Sequence, residues 1–468
     1  MKPYIAVFYF CIKARCFAYT RTSRRSCMRS AYKAVWGVLC LLFLAVPAVS
    51  SAESYDGSQF LLSWSESPSH SQTITWHSPS RREGYVQYNK SGGELSGQHQ
   101  VKAEITDVGE TGYYRYEAVL KGLSHNTTYD YRVGNGREWS QIRTFTTAPD
   151  PETWEEKSET SFDFLYLGDV QYRNRNRDYG EWGKLLQDIR ERNPGIAFAL
   201  IGGDMVNSSR KMKDWNLFLD NASSVFSYIP MMPAIGNHET SVKADPYLQM
   251  LALPENGPQD LEEEFYSFDY GNCHIIVLNT CFLLDNRKAS MAEEWDEKLH
   301  EIRIWMEEDL RKSNAKWKLA VLHHPPYGIS NGDSVYEWIR QEWEPILEKG
   351  EIDLALCGHQ HIYMRTKEIG GITYVIGNSG KRRSTYYNGE NAPAYTKALD
   401  AVNSNYQIIR VEKDRLSLLS YDEKGQIIDR WSKEKHEKGI LKGAIAGLIF
   451  APVMIAGIAA AVRRKKRP

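Results

Sequence analysis

The stretch Ala234-Ile235-Gly236-Asn237-His238-Glu239 organises the fold and the chemistry of this 468-residue chain. A short apolar run ends in a glycine and is followed by an amide, an imidazole and a carboxylate. The side-chain oxygen of Asn237 can bind a metal ion, and His238 points elsewhere, where it can exchange a proton with a bound molecule. Gly-Asn is also an ordinary turn signal, so the stretch needs partners elsewhere in the chain.

Four other apolar runs also end in polar residues that can bind a metal ion. Open α/β sheets place their ligand site at the carboxyl ends of strands, so the five segments can converge in space. A glycine before the polar residue lets the backbone turn sharply and frees the side chain to point into the crevice. The four segments are Gly168-Asp169-Val170-Gln171, Gly203-Asp204-Met205-Val206-Asn207, His323-His324-Pro325-Pro326 and Gly358-His359-Gln360-His361.

The ligand set of these segments combines carboxylates, an amide oxygen and imidazoles without a thiolate, which suits Fe, Mn or Zn. Two carboxylates and three or four histidines are too many for one ion with an open position, so we expect a carboxylate to bridge two ions ~3.5–4 Å apart. Such a pair lowers the pKa of a bridging water, directs the hydroxide at phosphorus and neutralises the phosphoryl oxygens. His238 is then placed to protonate the leaving alkoxide.

Each segment also has a purely structural interpretation. An aspartate after a strand is usually a helix cap, and two histidines before two prolines can form a rigid turn. The alternation of His359 and His361 is weak evidence on its own, but five such segments in this order favour a metal site. His274 is predicted to be a packing histidine. The histidines predicted to lie on the surface of the preceding β domain are His70, His77, His99 and His125.

Residues 60–148 have the pattern of an all-β domain. Short β-branched or aromatic runs alternate with Gly, Ser and Asn turns, which predicts a β-sandwich. The sandwich either supports the next domain, which is the favoured interpretation, or binds a ligand of its own. Residues 148–157 contain two prolines and several acidic residues and are predicted to be a linker.

From Phe162 onward the pattern changes to strand, loop and helix. Apolar strands alternate with amphipathic helices, which predicts a mixed sheet, or two, buried between helices. Residues 285–301 are polar and are predicted to be an exposed excursion. A helix marked by Ile302, Trp305 and Met306 is predicted to follow them.

Both ends of the chain carry targeting signals. A basic start, the apolar run 34–48 and a small-residue cleavage site predict a signal peptide cut after Ala52, with an uncleaved N-terminal anchor as the alternative. Residues 1–27 do not fit this plan, and a translation start at Met28 would explain them. Residues 443–462 are twenty residues without a charge, followed by a basic cluster. They predict a transmembrane helix with a cytoplasmic tail and an external body, in preference to a buried core helix.

The formal net charge of −1 hides a strong asymmetry. Basic residues are concentrated in residues 1–52 and in the last six residues, so the part between them is acidic. An acidic body argues against binding nucleic-acid polymers through their phosphates. Four of the seven cysteines lie in the predicted leader. No disulfide is expected among Cys273, Cys281 and Cys357, because the first two lie at opposite ends of a predicted strand.

The order of the five segments resembles that of the calcineurin-like metallophosphoesterases. The β domain in front is similar to the purple acid phosphatase branch, whose N-terminal domain is fibronectin type III-like. The resemblance covers about residues 60–420. Besides the five segments, it lies in residues 128–134, 139–145, 266–271, 305–310 and 363–365.

The resemblance implies a fold class and a domain organisation. An all-β, fibronectin type III-like sandwich over residues 53–150 would follow the leader of residues 1–52. An α/β metallophosphoesterase domain with two sheets in an αββα arrangement would span residues 151–432. Residues 433–468 would hold a linker, the C-terminal transmembrane helix and the basic tail.

The resemblance also implies a set of site residues. His238 would be the catalytic acid. His323 fits the His-x-Pro pattern of the family better than His324, which is the fallback ligand or a phosphate contact. With Asp204 bridging, one ion would be held by Asp169, Asp204 and His361, and the other by Asp204, Asn237, His323 and His359.

The chain departs from the family at two positions. The purple enzymes place a tyrosinate on iron three residues after the bridging aspartate, where this chain has Asn207. Other branches place a histidine two residues after the first aspartate, where this chain has Gln171. Either residue could supply an oxygen instead. We predict that the protein is not purple and that it holds its first ion more loosely.

Three functions are compatible with these features. The first is an exported, membrane-anchored phosphatase that acts on phosphomonoesters, and the second is a phosphodiesterase that acts on nucleotides or lipid head groups. The third, from another class, is an adhesion protein whose sandwich binds a partner and whose catalytic domain has decayed. The intact ligand set speaks against decay, whereas Gln171 and Asn207 leave this alternative open.

Overall fold

The computed structural model describes residues 55–109, 112–156, 161–171, 176–240, 245–285, 292–330, 334–382, 384 and 392–435. The predicted signal peptide and the predicted transmembrane helix at residues 443–462 lie outside these ranges. Among the described helices, none has both the length and the apolar character that crossing a membrane requires.

The first part of the described chain is a β-sandwich. Its strands are β1 (Ser58–Ser63), β2 (Ser71–Ser78), β3 (Tyr85–Lys90), β4 (Gln100–Lys102), β5 (Glu104–Asp107), β6 (Tyr114–Lys121), β7 (Thr128–Gly134) and β8 (Arg143–Thr146). One sheet has the order β1-β2-β6-β5 and the other the order β4-β3-β7-β8. Both contribute to one apolar core, in which Trp76 of β2 stacks on Tyr116 of β6 with 5.2 Å between ring centroids.

The sandwich is packed closely against the domain that follows. Trp64, just after β1, is fully buried, and its ring lies 5.5 Å from that of Phe198 in the next domain. The hydroxyl of Tyr131 donates to the carbonyl of Ser227 at 2.7 Å. The predicted linker is also anchored, because it contains a 3₁₀ helix, Pro151–Glu156, whose Trp154 is only 2% exposed. These contacts make the sandwich a rigid support for its neighbour.

The second domain consists of thirteen described strands and seven described helices. The strands are β9 (Ser161–Leu167), β10 (Ile196–Ile201), β11 (Met231–Pro233), β12 (Tyr266–Tyr270), β13 (Cys273–Leu278), β14 (Trp317–Leu322), β15 (Leu354–Cys357), β16 (Tyr363–Thr366), β17 (Thr373–Ile376), β18 (Thr396–Asp400), β19 (Asn405–Glu412), β20 (Arg415–Asp422) and β21 (Ile427–Glu434). The helices are α1 (Asn176–Arg192), α2 (Met212–Phe226), α3 (Asp245–Met250), α4 (Phe282–Asp285), α5 (Ala292–Lys312), α6 (Ser334–Glu342) and α7 (Glu344–Lys349).

These strands form two sheets that face each other. The orders are β11-β10-β9-β19-β20-β21 and β12-β13-β14-β15-β17-β16-β18. The side chains of β13 alternate between two cores, as expected for a strand buried on both faces. Ile275 and Val277 lie in the core shared with the first sheet, whereas Ile276 and Leu278 lie in the core that includes α5, α6 and α7. The predicted two-sheet α/β architecture is therefore confirmed.

The topology brings the polar segments to one place. Strands β9, β10 and β11 run parallel in the first sheet, and β13, β14, β15 and β17 run parallel in the second. Parallel neighbours end at the same edge of their sheet, so the segments that follow β9, β10, β11, β14 and β15 share one side of the domain.

One segment of the second domain differs from the sequence-based predictions, whereas its cysteines agree with them. The predicted exposed excursion at residues 285–301 is wrong from Ala292 onward, because α5 begins there and buries Leu299, which is 4% exposed. Asp296, Glu297 and His300 of this stretch are exposed on the solvent side of this helix. The described cysteines Cys273, Cys281 and Cys357 are buried and form no disulfide with one another, as predicted.

Two histidines were also assigned wrongly. His77 is not a surface residue but is 2% exposed, and burial together with the nearby Arg115 lowers its pKa to about 3. His274 is buried, but its two ring nitrogens bond to Asp269 and Asp309, each at 2.8 Å. Burial opposes its charge, yet these carboxylates raise its pKa to about 9. It is a charged bridge and not an apolar packing residue.

We expect the ion pairs of His274 to make the stability of the protein depend on pH. Folded His274 binds its proton more tightly than unfolded His274, so its contribution is complete below pH 6.5 and is lost as the pH rises through about 9. The difference in unfolding free energy between the wild type and His274→Gln should therefore be about 2 kcal/mol larger at pH 6 than at pH 9.5. Urea unfolding at both pH values measures it. The exposed His300→Gln is the matched control, and an equal difference at both pH values would contradict the assignment.

Candidate metal centre

Four potential ligand atoms converge from the segments after β10, β11, β14 and β15. Oδ1 of Asn237 lies 3.0 Å from Nε2 of His323 and 2.9 Å from Nδ1 of His359. Nε2 of His323 lies 3.3 Å from Nδ1 of His359 and 3.4 Å from Oδ1 of Asp204. Ligands at ~2.0–2.2 Å from a tetrahedral ion are roughly 3.3 Å from one another. The observed spacing is therefore that of a shell around one cation.

The orientation of His323 is set by the backbone of a neighbouring loop. Its Nδ1 donates to the carbonyl of Gly202 at 2.8 Å, so Nε2 is left with a lone pair that faces the cluster. Nδ1 of His324 bonds to Thr280 at 2.8 Å, and its ring packs 4.3 Å from that of His359. It is 1% exposed. A ring nitrogen of His324 also lies within 4.8 Å of those of His323 and His359. His323, which contacts both Asp204 and Asn237, is the first ligand candidate, and His324 is the second.

A second ligand set lies beside the first and shares Asp204 with it. Asp169 is fully buried, and neither of its carboxylate oxygens has a hydrogen-bond partner among the described residues. Nε2 of His361 lies 3.7 Å from Oδ1 of Asp169. Buried carboxylates are normally paired or bound to a metal, so the unpaired oxygens fit a cation at this position.

Gln171 reaches this second set directly. Its Nε2 donates to Oδ2 of Asp204 at 2.9 Å and lies 3.2 Å from Nε2 of His361. Its Oε1 is buried and has no hydrogen-bond partner in the described part of the chain. The two ends of an amide have nearly the same shape, and rotation by half a turn would present the oxygen to the set. Asn207 contacts the site differently, through its backbone carbonyl, which accepts from Nδ1 of His238 at 2.7 Å.

Three site residues have a backbone conformation that is unusual for residues with a side chain. The φ angles of Asp204, His359 and His361 are 54°, 72° and 53°. Each such residue costs about 1 kcal/mol or more, and such strain is concentrated at functional sites. The preceding Gly203 has a φ of 86°, and a Cβ there would lie 2.8 Å from the backbone nitrogen of Gly236. The close approach of these two loops therefore requires glycine.

Glu239 holds the loops after β10 and β11 together, a role that its position in the sequence alone did not predict. Its Oε2 accepts from the backbone N–H groups of Asp204 at 2.8 Å and Gly236 at 2.9 Å, and its Oε1 accepts from that of Val206 at 3.2 Å. The carboxylate is fully buried, and burial and the charge of Asp204 raise its pKa to about 8. The signal in the sequence was a carboxylate three residues after the glycine, close enough to fold back onto it.

His238 lies at the open side of the centre and is half-buried. Its backbone N–H donates to Oδ1 of Asp204 at 2.9 Å. Because Nδ1 donates to a carbonyl, Nε2 carries the lone pair, and it lies 3.8 Å from Oδ2 of Asp204. The imidazole is therefore positioned by the same aspartate that both ligand sets share.

A sixth segment, residues 377–382 after β17, was missed by the sequence analysis. The backbone N–H groups of Ser379 and Gly380 donate to the carbonyl of Asp169 at 3.1 and 2.6 Å. Nη1 of Arg382 donates to Nε2 of His238 at 3.1 Å. The available signal was Gly377-Asn378-Ser379-Gly380 after an apolar strand, which has the same form as the other segments.

The electrostatics of the centre favour metal binding. Burial lowers the pKa values of His359 and His361 to about 3, so both imidazoles are neutral, the form that binds metals. Burial and the charge of Asp204 raise the pKa of Asp169. Burial also opposes the charge of Asp204, but the surrounding histidines outweigh it and lower its pKa. A cation between these groups would stabilise both carboxylates.

Two family models match this chain over most of the described fold. Residues 58–147 match the purple acid phosphatase N-terminal domain, and residues 162–363 match the calcineurin-like phosphoesterase domain. The chain is a purple acid phosphatase-like metallophosphoesterase. Members of this family are metal-dependent phosphoric ester hydrolases that use two metal ions, such as Fe, Zn or Mn, and the ligand sets described above contain residue types that bind such ions.

Individual relatives of this purple acid phosphatase-like chain are distant. An uncharacterised protein of Mycobacterium tuberculosis is 28% identical over 276 residues, which cover 54% of this chain and 51% of that protein. The chain thus spans about half the length of that relative. Purple acid phosphatase 21 of Arabidopsis thaliana is 25% identical over 61% of this chain and 65% of its own length. The structure of a purple acid phosphatase from yellow lupin seeds has the same fold, with a TM-score of 0.64 over 82% of this chain and 75% of that chain at 18% identity.

We expect the iron-loaded protein to lack the visible absorption band of a tyrosinate bound to iron. The position three residues after Asp204 is Asn207, and no tyrosine is among the residues that form the centre described above. Absorption spectroscopy of the iron-loaded wild type tests this, with Asn207→Tyr as the matched variant expected to gain the band. A charge-transfer band in the wild type would show that another tyrosine binds the metal.

Proposed function

We propose that this protein is an exported, membrane-anchored phosphatase that hydrolyses phosphomonoesters with two metal ions. The observation that carries the proposal is Asp204, which stands between two ligand sets and also orients His238. A single shared carboxylate between two such sets is the arrangement that two-metal hydrolysis requires.

The residues of the centre have distinct roles in this proposal. Two bound ions would supply an activated water and neutralise charge on the phosphoryl oxygens. The residues that would hold the first ion are Asp169, Asp204 and His361, with Gln171 as an additional oxygen ligand, and those that would hold the second are Asp204, Asn237, His323 and His359.

His238 is assigned the proton transfer to the leaving oxygen. Its Nδ1–H is held by a backbone carbonyl, so the nitrogen that exchanges a proton is Nε2, on the open side of the centre. A positioned acid of this kind contributes roughly 10²–10⁴-fold to the rate. The hydrogen bond from its backbone to Asp204 couples its position to that of the shared ligand.

Export and anchoring rest on the two ends of the sequence. The pattern before Ala52 is that of a signal peptide, and residues 443–462 are long and apolar enough to span a bilayer. The basic cluster after them would stay in the cytoplasm, which places the two folded domains on the other side. Protease protection of the protein in intact and lysed cells tests this topology.

Hydrolysis of p-nitrophenyl phosphate by the purified protein tests the catalytic part of the proposal. The protein is loaded with Fe, Mn or Zn and assayed against p-nitrophenyl phosphate and bis(p-nitrophenyl) phosphate, with and without a chelator. We expect chelator-sensitive hydrolysis of the monoester to exceed that of the diester. Preference for the diester would support a phosphodiesterase, and no hydrolysis with any metal would favour a binding protein.

A further inference from the structure

The guanidinium of Arg382 is not used by the proposed metal centre. Its Nη1 donates to Nε2 of His238 at 3.1 Å, and no carboxylate pairs with it among the residues that the structure describes. The side chain is half-buried. A guanidinium has five N–H donors, so a half-buried one that bonds to a single imidazole nitrogen has donors left for an anion.

Arg382 lies at the end of the segment 377–382, which several hydrogen bonds hold in place. Nδ2 of Asn378 donates to the carbonyl of Arg382 at 3.0 Å, and Oγ of Ser379 donates to the carbonyl of Asn405 at 2.8 Å. The N–H of Gly380 donates to the carbonyl of Asp169 at 2.6 Å. The segment is thus fixed to the backbone of a proposed metal ligand, so the guanidinium has a defined place relative to the reacting phosphate.

In the proposed function, the guanidinium of Arg382 lies beside the leaving group. In this function, Nε2 of His238 gives a proton to the leaving oxygen, and Nη1 of Arg382 lies within hydrogen-bond distance of this atom. An anionic group next to the ester oxygen would meet the guanidinium directly. Charge-assisted hydrogen bonds are roughly twice as strong as neutral ones, so such an anion would displace the imidazole as the partner of Arg382.

The neighbouring Lys381 does not share this position. It is exposed, and its Nζ forms an ion pair with Glu181 on α1. The two adjacent cations therefore differ in their surroundings. Lys381 is paired with a carboxylate, whereas Arg382 faces the metal centre. Lys381 provides a matched control for the loss of one positive charge in the same segment.

We propose that Arg382 selects phosphomonoesters whose leaving group carries a second anionic group, a carboxylate or a phosphate, beside the ester oxygen. This inference rests on the proposed function, because the assignment of His238 defines the side of the leaving group. Arg382 acts by binding the substrate in a fixed orientation and takes no proton in the reaction.

Two isomeric substrates test this selection. In 2-carboxyphenyl phosphate the carboxylate lies beside the ester oxygen, and in 4-carboxyphenyl phosphate it lies across the ring. Phosphate release is measured for the wild type, Arg382→Gln, Arg382→Lys and Lys381→Gln, with the spontaneous hydrolysis of each ester subtracted. We expect Arg382→Gln to lower kcat/KM for the 2-isomer roughly 10- to 100-fold, mainly through KM, and that for the 4-isomer less than about 3-fold.

The other variants separate charge from geometry. Arg382→Lys keeps the charge but loses the forked donors, so we expect an intermediate loss on the 2-isomer. Lys381→Gln should change neither substrate. Equal losses on both isomers, or no loss on the 2-isomer, would overturn the inference while leaving phosphatase activity in place. A wild type that hydrolyses neither these esters nor p-nitrophenyl phosphate would instead refute the proposed function, and this inference with it.

Discussion

Asp204→Asn is expected to lower kcat/KM for p-nitrophenyl phosphate on the order of 10³-fold or more while the protein stays folded. The substitution keeps the size of the side chain but removes the charge that two ligand sets share. It also replaces one of the two acceptor oxygens that receive hydrogen bonds from His238 and Gln171. The other carboxylate grouped with Asp204 and His323 is Asp169, which would itself bind the first ion, so the shared charge is not replaced within the centre.

Three measurements on Asp204→Asn separate loss of metal from loss of fold. Metal content should fall below that of the wild type, and circular dichroism should be unchanged. The exposed Asp188→Asn on α1 removes the same charge outside the centre and should retain wild-type activity and metal content. If Asp204→Asn kept most of its activity, the shared-ligand role of Asp204 would be wrong, and the two-metal proposal would fail with it.

Glu239→Ala should have the largest effect on stability, a loss of about 3–5 kcal/mol. The reason is that three buried N–H groups, those of Asp204, Val206 and Gly236, would lose their acceptor at once. Each unsatisfied buried donor costs roughly 1–3 kcal/mol, partly relieved by a water that enters the space of the side chain. The strained φ of Asp204 would also lose its main restraint, so metal affinity should fall together with stability.

Urea unfolding of the metal-loaded protein measures this effect. Glu239→Gln keeps one acceptor oxygen and should lose less than Glu239→Ala. The exposed Glu308→Ala on α5, which removes a surface ion pair with Lys312, should leave the unfolding free energy nearly unchanged. A loss below about 1 kcal/mol in Glu239→Ala would mean that the three donors find other acceptors and that the carboxylate of Glu239 does not hold the loops together.

Several parts of the centre were predictable because they are local. Asp169, Asp204, Asn237, His323 and His359 each follow an apolar strand within a residue or two, and parallel strands bring their carboxyl ends to one edge. The periodicity of β strands and the polar residues at their ends are both visible in short stretches of the sequence. Their convergence could therefore be inferred before any contact was known.

Other parts depend on distant contacts that leave no local signal. His323 and His324 are adjacent and chemically identical, and only the contacts with the carbonyl of Gly202 and the hydroxyl of Thr280 set the different orientations of their rings. Burial of His77 and the charge of His274 likewise arise from neighbours on other strands or helices. Sequence patterns report the environment along one element, and these environments are made by several.

The sequence by itself determined the all-β class of the first domain, the alternating α/β class of the second and the residue types available for a metal centre, because hydrophobic periodicity and strand-end chemistry are properties of short segments. Only the tertiary structure decided that Glu239 ties the loops after β10 and β11 together, that Gln171 reaches Asp204 and that Arg382 faces His238. Each of these contacts joins residues from separate loops, and their meeting depends on how the two sheets pack.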